Sequence, residues 1–257
     1  MSARDRDLTR RFYAAYRDPE RAVLEGYHPA RHAVRFGASL ELAVTYDRDR
    51  LFRLAERLDP GSLPPIERVL RVVDRESFGK LSRRSLSSPL LSVALRPRWD
   101  VAEVLGRHDR PVVYLERPRH PGNVGAVVRV AAAADVGGVV VSGQVDPWSP
   151  VVIRSAAGLQ YAVAVGSADL PADSGRPVVA IDVGGEPVGS ADLPVDAILA
   201  VGGERHGLSQ AIRHVAVRSV GVPMRSGASS LNLATAISAV LFAWKAAVRA
   251  RTGAEPW

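Results

Sequence analysis

The sequence predicts an α/β protein with a large C-terminal unit around a parallel sheet and a smaller N-terminal α/β unit. Three observations carry that reading. Helical and strand-like patterns alternate along most of the chain, which is the signature of α/β architecture. Beyond residue 100 the strand candidates are continuous apolar runs, such as Gly138–Ser142 and Ala197–Val201. Runs of that kind belong to strands covered on both faces of a parallel sheet. Finally, Arg96-Pro97-Arg98-Trp99-Asp100 interrupts the alternation as a linker, so that residues 1–97 and 98–257 are expected to form separate domains.

Each element has a local reason. In Asp5–Tyr16 the residues Leu8, Phe12 and Tyr16 recur every four positions, giving an amphipathic helix. Pro29–Phe36 is helical in pattern and Gly37 closes it as a C-cap. Leu40–Thr45 is a strand, Asp49–Leu58 a helix, and Asp59–Pro65 a loop rich in Pro and Gly. Val69–Val73 is a second strand, Asp74 an N-cap for a helix over Arg75–Leu81, and Leu90–Leu95 a third strand. In the C-terminal part, strands are expected at Pro111–Leu115, Gly138–Ser142, Val178–Val183, Ala197–Val201 and Val217–Val222. Helices are expected at Asn123–Ala134, from Pro150 to Gly158, and over Leu231–Val248.

Composition narrows the class. The chain has 257 residues, 47% of them hydrophobic and 6% aromatic, enough for a sizeable core. No uninterrupted apolar run approaches the roughly 20 residues of a membrane-spanning helix. Met1–Arg11 is charged and lacks the apolar centre of a signal peptide. There is no cysteine, which excludes disulfides and thiolate zinc sites, and the six histidines have no metal-ligand spacing. The expectation is a cytoplasmic protein without metal. The net charge of +7 is uneven. Residues 1–100 hold 20 Lys/Arg against 14 Asp/Glu, a net +6, which leaves 14 against 13 for the rest. An excess of that kind attracts a polyanion. An arginine-rich genome would give the same bias, since only Lys80 and Lys245 are lysines.

Three loops carry the chemistry, and each follows an expected strand at the edge where open parallel sheets bind ligands. Asn123-Val124-Gly125-Ala126-Val127-Val128-Arg129-Val130-Ala131 opens a helix of small residues, in which Arg129 has the planar fork that suits phosphate oxygens. Gly202-Gly203-Glu204-Arg205-His206-Gly207-Leu208-Ser209 lacks the Gly-Lys-Ser/Thr ending of a nucleotide-triphosphate loop, and no G-x-G-x-x-G follows the first strand. Glu204 is an acceptor for a cationic or hydroxyl-bearing ligand, or the partner of an arginine. Val222-Pro223-Met224 through Ser230-Leu231-Asn232-Leu233 passes from strand to apolar helix through residues too small to block a ligand from the backbone.

Together these segments resemble the SpoU/TrmH family of SPOUT-class RNA ribose 2′-O-methyltransferases. The family's N-x-G-A-x-x-R-x-A is matched at Asn123–Ala131, its G-x-E-x-x-G-L-S at Gly202–Ser209, and its V-P-M…S-L-N at Val222–Leu233. The second motif carries Arg205-His206 where relatives have a small or basic pair, and Ala234-Thr235-Ala236 replaces a Ser-Val-Ala run. The resemblance implies a parallel-sheet domain whose C-terminal segment is threaded into a deep trefoil knot, with S-adenosylmethionine held in the knot loops. Backbone groups of Gly202, Gly203, Val222, Pro223 and Met224 would hold adenine and ribose. Ser230, Leu231 and Asn232 would line the pocket beside Glu204, with Ser142 and Gly143 nearby. The N-terminal residues from Val23-Leu24-Glu25-Gly26 onward resemble the ribosomal-protein-like domain with which many such enzymes grip RNA.

The implied reaction moves a sulfonium methyl group to a ribose 2′-hydroxyl. The family gives the arginine matched by Arg129 a central role. A guanidinium stays protonated, so phosphate binding and stabilisation of the developing alkoxide suit Arg129 better than general-base work. Glu204 would orient Arg129 or its equivalent in a second chain, while Asn123 and Asn232 would fix substrate and loop geometry. Arg154 is a second candidate RNA-phosphate contact. His120, His206 and His214 match no fixed family position and read as solvated loop residues. The apolar helix from Leu231 predicts a homodimer. Ribosomal RNA is the favoured substrate because of the N-terminal domain, which also occurs in enzymes of thiopeptide resistance. The alternatives are a transfer-RNA methyltransferase and a knotted RNA-binding protein without turnover.

Overall fold

The computed structural model describes residues 3–82, 84–171, 173–189 and 191–253. The two outer ends of the expected domains, at residues 1 and 257, lie outside the described residues. The chain forms two compact units, one of residues 1–98 with 148–162, the other of 99–147 with 163–257. Residues 148–162, expected within the C-terminal domain, therefore pack with the first unit.

The first unit runs α1 (Ala3–Ala15), β1 (Arg21–Glu25), α2 (Tyr27–Arg35), β2 (Leu40–Thr45), α3 (Arg48–Leu58), a 3₁₀ turn at Pro60–Ser62, α4 (Leu63–Val69), β3 (Leu70–Val72), α5 (Arg75–Leu81) and β4 (Leu91–Leu95). Its sheet has the order β1-β4-β2-β3. Two differences from the sequence reading have plain causes. The loop expected at Asp59–Pro65 instead turns into α4, because Pro64 and Pro65 fall in the first helical turn, where a missing N–H costs nothing. Strand β1 went unanticipated, since Ala22-Val23-Leu24 is a short apolar run between two charges. Asp47 and Asp74 cap α3 and α5, accepting from the backbone N–H groups of Arg50 and Ser77. Phe12, Val23, Val44, Phe78 and Leu91 fill the core.

The second unit begins with α6 (Val101–Gly106) and β5 (Val112–Glu116), then α7 (Pro121–Ala134) and β6 (Gly138–Val141). The chain passes through α8 (Pro150–Ser155) and a 3₁₀ turn at Leu159–Tyr161, both in the first unit, before β7 (Ala164–Ser167). There follow β8 (Val178–Pro187), β9 (Ile198–Gly202), α9 (Gln210–Val215), β10 (Ala216–Gly221) and α10 (Leu233–Thr252). The sheet has the order β10-β8-β9-β5-β6-β7, and its neighbours pair in parallel. Strand β7 and helices α6 and α9 were not expected. They are four to six residues long, too short for a periodicity to show. The core of Val112, Tyr114, Val140, Ile198, Ala200 and Leu208 lies on one sheet face.

Helix α10 is long and apolar enough to cross a membrane by length and composition alone. Thr235, Ser238 and Lys245 break its apolar sequence. Leu233, Ile237, Val240, Leu241 and Trp244 are buried, and the helix packs on α7.

Candidate functional site

The sheet has a switch point between β5 and β9. From β5 the chain builds β6 and β7 on one side, while β8, β9 and β10 lie on the other. In open parallel sheets this is where a crevice opens outside the carboxyl ends of the strands. A cleft of about 370 Å³, within the size range of small-molecule sites, opens beside that point, at the carboxyl end of β9 on the side of β8 and β10. One wall is the loop after β9, with Gly202, Gly203, Glu204, Gly207 and Leu208. A second is the segment after β10, with Val222, Met224, Ser230, Leu231 and Asn232, continuing into Leu233 and Ala236 of α10. The third is Ile181, Asp182 and Val183 of β8. That wall exists because the β8–β10 pairing jumps from Ala180 opposite Ser219 to Glu186 opposite Val220, so the intervening β8 residues bulge out of register.

Glycines make the loop after β9 possible. A Cβ on Gly202 would lie 1.9 Å from the carbonyl carbon of Gly207, and one on Gly203 would lie 2.5 Å from the carbonyl oxygen of Arg117. Gly207 has φ +61°, and its N–H donates to the Gly203 carbonyl at 2.9 Å, closing a tight ring of backbone. The ring ends where Leu208 enters the core and Ser209 caps α9, its side chain accepting from the Ile212 N–H. The Ser209 N–H donates to Oε2 of Glu116 at 2.7 Å, and Glu116 is itself buried at the end of β5. The Gly-Leu-Ser spacing thus has a structural meaning of turn, plug and cap.

A polar chain joins the three loops. Asn232 caps α10, its Oδ1 accepting from the Ala234 N–H at 2.9 Å. Its Nδ2 donates to Oδ1 of Asn123 at 2.9 Å, and Asn123 Nδ2 donates to Oε1 of Glu204 at 2.7 Å. Oε2 of Glu204 accepts from the Arg119 N–H at 3.0 Å. Burial pushes the Glu204 carboxyl up, but the Asn123 bond, two backbone N–H groups and nearby His120 together outweigh it, so the group stays below its ordinary value and ionised. Each loop contributes one member, over separations of 81 and 109 residues.

Other expected residues stand elsewhere. Ser142 and Gly143 do not line the cleft. Ser142 Oγ accepts from the Arg117 N–H at 3.1 Å, and a Cβ on Gly143 would meet the Arg117 Cα at 3.2 Å, so both shape the turn behind Gly203. Pro223 is exposed and outside the cleft lining. Arg129 is exposed on α7 and has no ion pair or side-chain hydrogen bond among the described residues. It follows Asn123 by six positions, about 9 Å along the axis and a third of a turn round it. Within this chain no hydrogen bond or ion pair joins Glu204 to Arg129; the Glu204 oxygens accept from Asn123 and the Arg119 N–H. Arg154 lies in the first unit, with Nη1 2.7 Å from Oε2 of Glu25, whose side chain is 3% exposed. His120, His206 and His214 are exposed.

The sequence reading missed Glu116, Arg117 and the β8 wall. The pair Gly184-Gly185 directly after Asp182-Val183 was an available signal, since glycines just past a strand mark an irregular edge. Glu116 ends an otherwise apolar strand, and a lone carboxylate there asks for a partner.

Comparison with known proteins gives the chain a family. Residues 110–242 match the model of the SpoU rRNA Methylase family. The 23S rRNA (uridine(2479)-2′-O)-methyltransferase of Streptomyces viridochromogenes is 30% identical over 182 residues, 65% of this chain and 63% of that protein. An uncharacterized tRNA/rRNA methyltransferase of Synechocystis is 31% identical over 52% of this chain and 53% of its own. The chain thus spans less than two thirds of these relatives. Among solved structures, the SpoU methyltransferase AviRb of Streptomyces viridochromogenes, in complex with AdoMet, superposes with a TM-score of 0.73 at 25% identity over 98% of both chains. Since the family model spans more than half of the residues, the chain belongs to the SpoU rRNA methylase family.

Proposed function

We propose that the protein is an S-adenosylmethionine-dependent methyltransferase acting on a ribose 2′-hydroxyl of ribosomal RNA. One observation carries the reading. The Asn232–Asn123–Glu204 chain ties the three family motifs into one polar rim at a glycine-walled cleft. The cleft fits the donor on its own chemistry. Gly202 and Gly203 leave no side chain between ligand and backbone, and Asp182, paired with Arg213, and Glu204, bonded to Asn123, place acidic residues on the lining. S-adenosylmethionine supplies a methyl group already activated on a sulfonium. Backbone groups of Gly202, Gly203, Val222 and Met224 bind its adenosine, with Ser230, Leu231 and Asn232 lining the site. Ser142 and Gly143 act through the Arg117 turn.

Positioning then supplies much of the acceleration. Arg129 binds the phosphate next to the target ribose and stabilises negative charge developing on the 2′-oxygen. Glu204 and Asn123 hold the rim rigid. Because Arg129 is exposed and makes no bond to Glu204 within the chain, a second copy completes the site, and the homodimer covers α10, where Phe242 is 46% exposed. The segment after β10 is read as the threaded part of a deep trefoil knot. Residues 1–97 are read as the RNA-gripping domain, which their net charge favours. The substrate places this work in the cytoplasm.

The test is incubation with S-adenosylmethionine labelled in its methyl group and 23S rRNA transcript. Label should appear at a single nucleotide whose 3′ linkage resists alkali, because a methylated 2′-oxygen cannot attack the phosphate. Absence of transfer, or label on a base, would overturn the reading.

A further inference from the structure

A second concavity lies behind the ring of the β9 loop. It measures about 180 Å³ and shares Gly203 and Gly207 with the larger cleft. Its remaining lining is Glu116, Arg117, Arg119, Arg205 and His206, so three arginines face one carboxylate. That carboxylate is already engaged, since Glu116 accepts from the Ser209 N–H and lies 3.4 Å from the Arg117 guanidinium. Glu204 stands close by, but its oxygens serve Asn123 and the Arg119 N–H. The side chains of Arg119, Arg205 and His206 have no hydrogen bond or ion pair among the described residues. Positive charge gathered around one hollow repels itself and stabilises nothing unless an anion enters.

A second observation points the same way. Arg117 sits at φ +46°, a conformation that costs a non-glycine residue energy and that surrounding structure must impose. Here Ser142 Oγ holds its N–H, and Gly143 gives its Cα room. The turn sends the Arg117 backbone against Gly203 and leaves its side chain 67% exposed at the hollow. Strain at this position has no role in the core, since the side chain faces outward.

We propose that this hollow binds a phosphodiester of the RNA strand, one that flanks the target nucleotide, through the guanidinium groups of Arg119 and Arg205 with Arg117 beside them. The proposal rests on the methyltransferase reading for its geometry. A strand anchored here lies just across the Gly203–Gly207 ring from the cleft that holds the methyl donor, so the hollow sets which nucleotide reaches it. The planar forks of arginine match two phosphate oxygens at once, and they would equally attract the free carboxylate of the donor.

The experiment compares the full-length protein with the Arg119→Gln/Arg205→Gln double variant, and with Arg107→Gln as a control elsewhere in the same unit. Binding to 23S rRNA transcript is measured against salt, and S-adenosylmethionine binding by calorimetry. The double variant should bind RNA at least about 10-fold more weakly. Its dependence of log K on log salt should be shallower by about 1.4, two single-strand contacts' worth. Donor affinity should stay within about twofold, and Arg119→Lys/Arg205→Lys should restore the salt slope. An unchanged affinity and slope, or a loss matched by Arg107→Gln, would overturn the proposal. So would a fall in donor affinity, which would assign the arginines to the donor's carboxylate. Binding is read without turnover, so a wild-type protein that transfers no methyl group would sink the proposed function while leaving this site testable.

Discussion

Arg129 and Arg154 are both single cations on apolar stretches of sequence, and both read as candidates for RNA phosphate. Their surroundings differ. On α7 of the second unit, Arg129 is exposed with no partner among the described residues, its charge available to a ligand. On α8, Arg154 is bonded to Glu25, a carboxylate almost fully out of solvent at the end of β1. An arginine so placed satisfies a buried charge, and an RNA phosphate would have to compete with that carboxylate. Equal residue types on apolar stretches thus divide into one candidate for chemistry and one that holds its unit together. Tertiary context makes the division.

The contrast is breakable in order of effect. Arg129→Ala should lower methyl transfer by about 10³-fold or more while S-adenosylmethionine binding measured by calorimetry persists. Transfer at near native rate would remove Arg129 from the site. Arg154→Ala should act on folding, because it strands Glu25 in the interior. A loss of about 3 kcal/mol in urea unfolding is expected, and Arg154→Met/Glu25→Gln should recover much of it. If instead Arg154→Ala folds normally and loses only RNA affinity, Arg154 is a ligand after all. Asn123→Ala cuts the rim between Glu204 and Asn232 and should cost about 1 to 2 kcal/mol in kcat/KM, with the larger share in kcat.

The smallest effect is on pH dependence. Glu204 has its folded value held below the ordinary 4.5. Its contribution is therefore complete above 4.5 and is lost as pH falls through the lower folded value. Urea midpoints of the native protein and Glu204→Gln should differ at pH 6 and converge under strongly acidic conditions. A difference that widened toward acid would mean that the carboxyl is raised instead.

Much of the site was legible before any coordinates. Pro121-Gly122-Asn123 at a helix start, a glycine pair after an apolar strand, and Ser-Leu-Asn before a long apolar helix each have local meaning. Their order along the chain resembles that of the SpoU/TrmH family motifs. Leu40–Thr45 was legible as a run of strand-forming apolar residues, and Arg75–Leu81 because Asp74 caps it. Short elements escaped because a four-residue strand such as β7 shows no period. The β8 wall escaped because a register jump belongs to two strands at once, and Asp182 gains a place in the cleft only when β10 fails to pair with it.

What the sequence determined alone was therefore the α/β class, the strand ends that carry the loops, and the residue types on them. Those depend on neighbours within a few positions. Which polar groups meet was decided only by the fold. Asn123 lies 81 residues from Glu204 and 109 from Asn232, and hydrogen bonds at 2.7 and 2.9 Å depend on strand order that no local pattern encodes. The same holds for the two arginines, since a charge becomes a ligand or a buried partner according to what the chain brings against it.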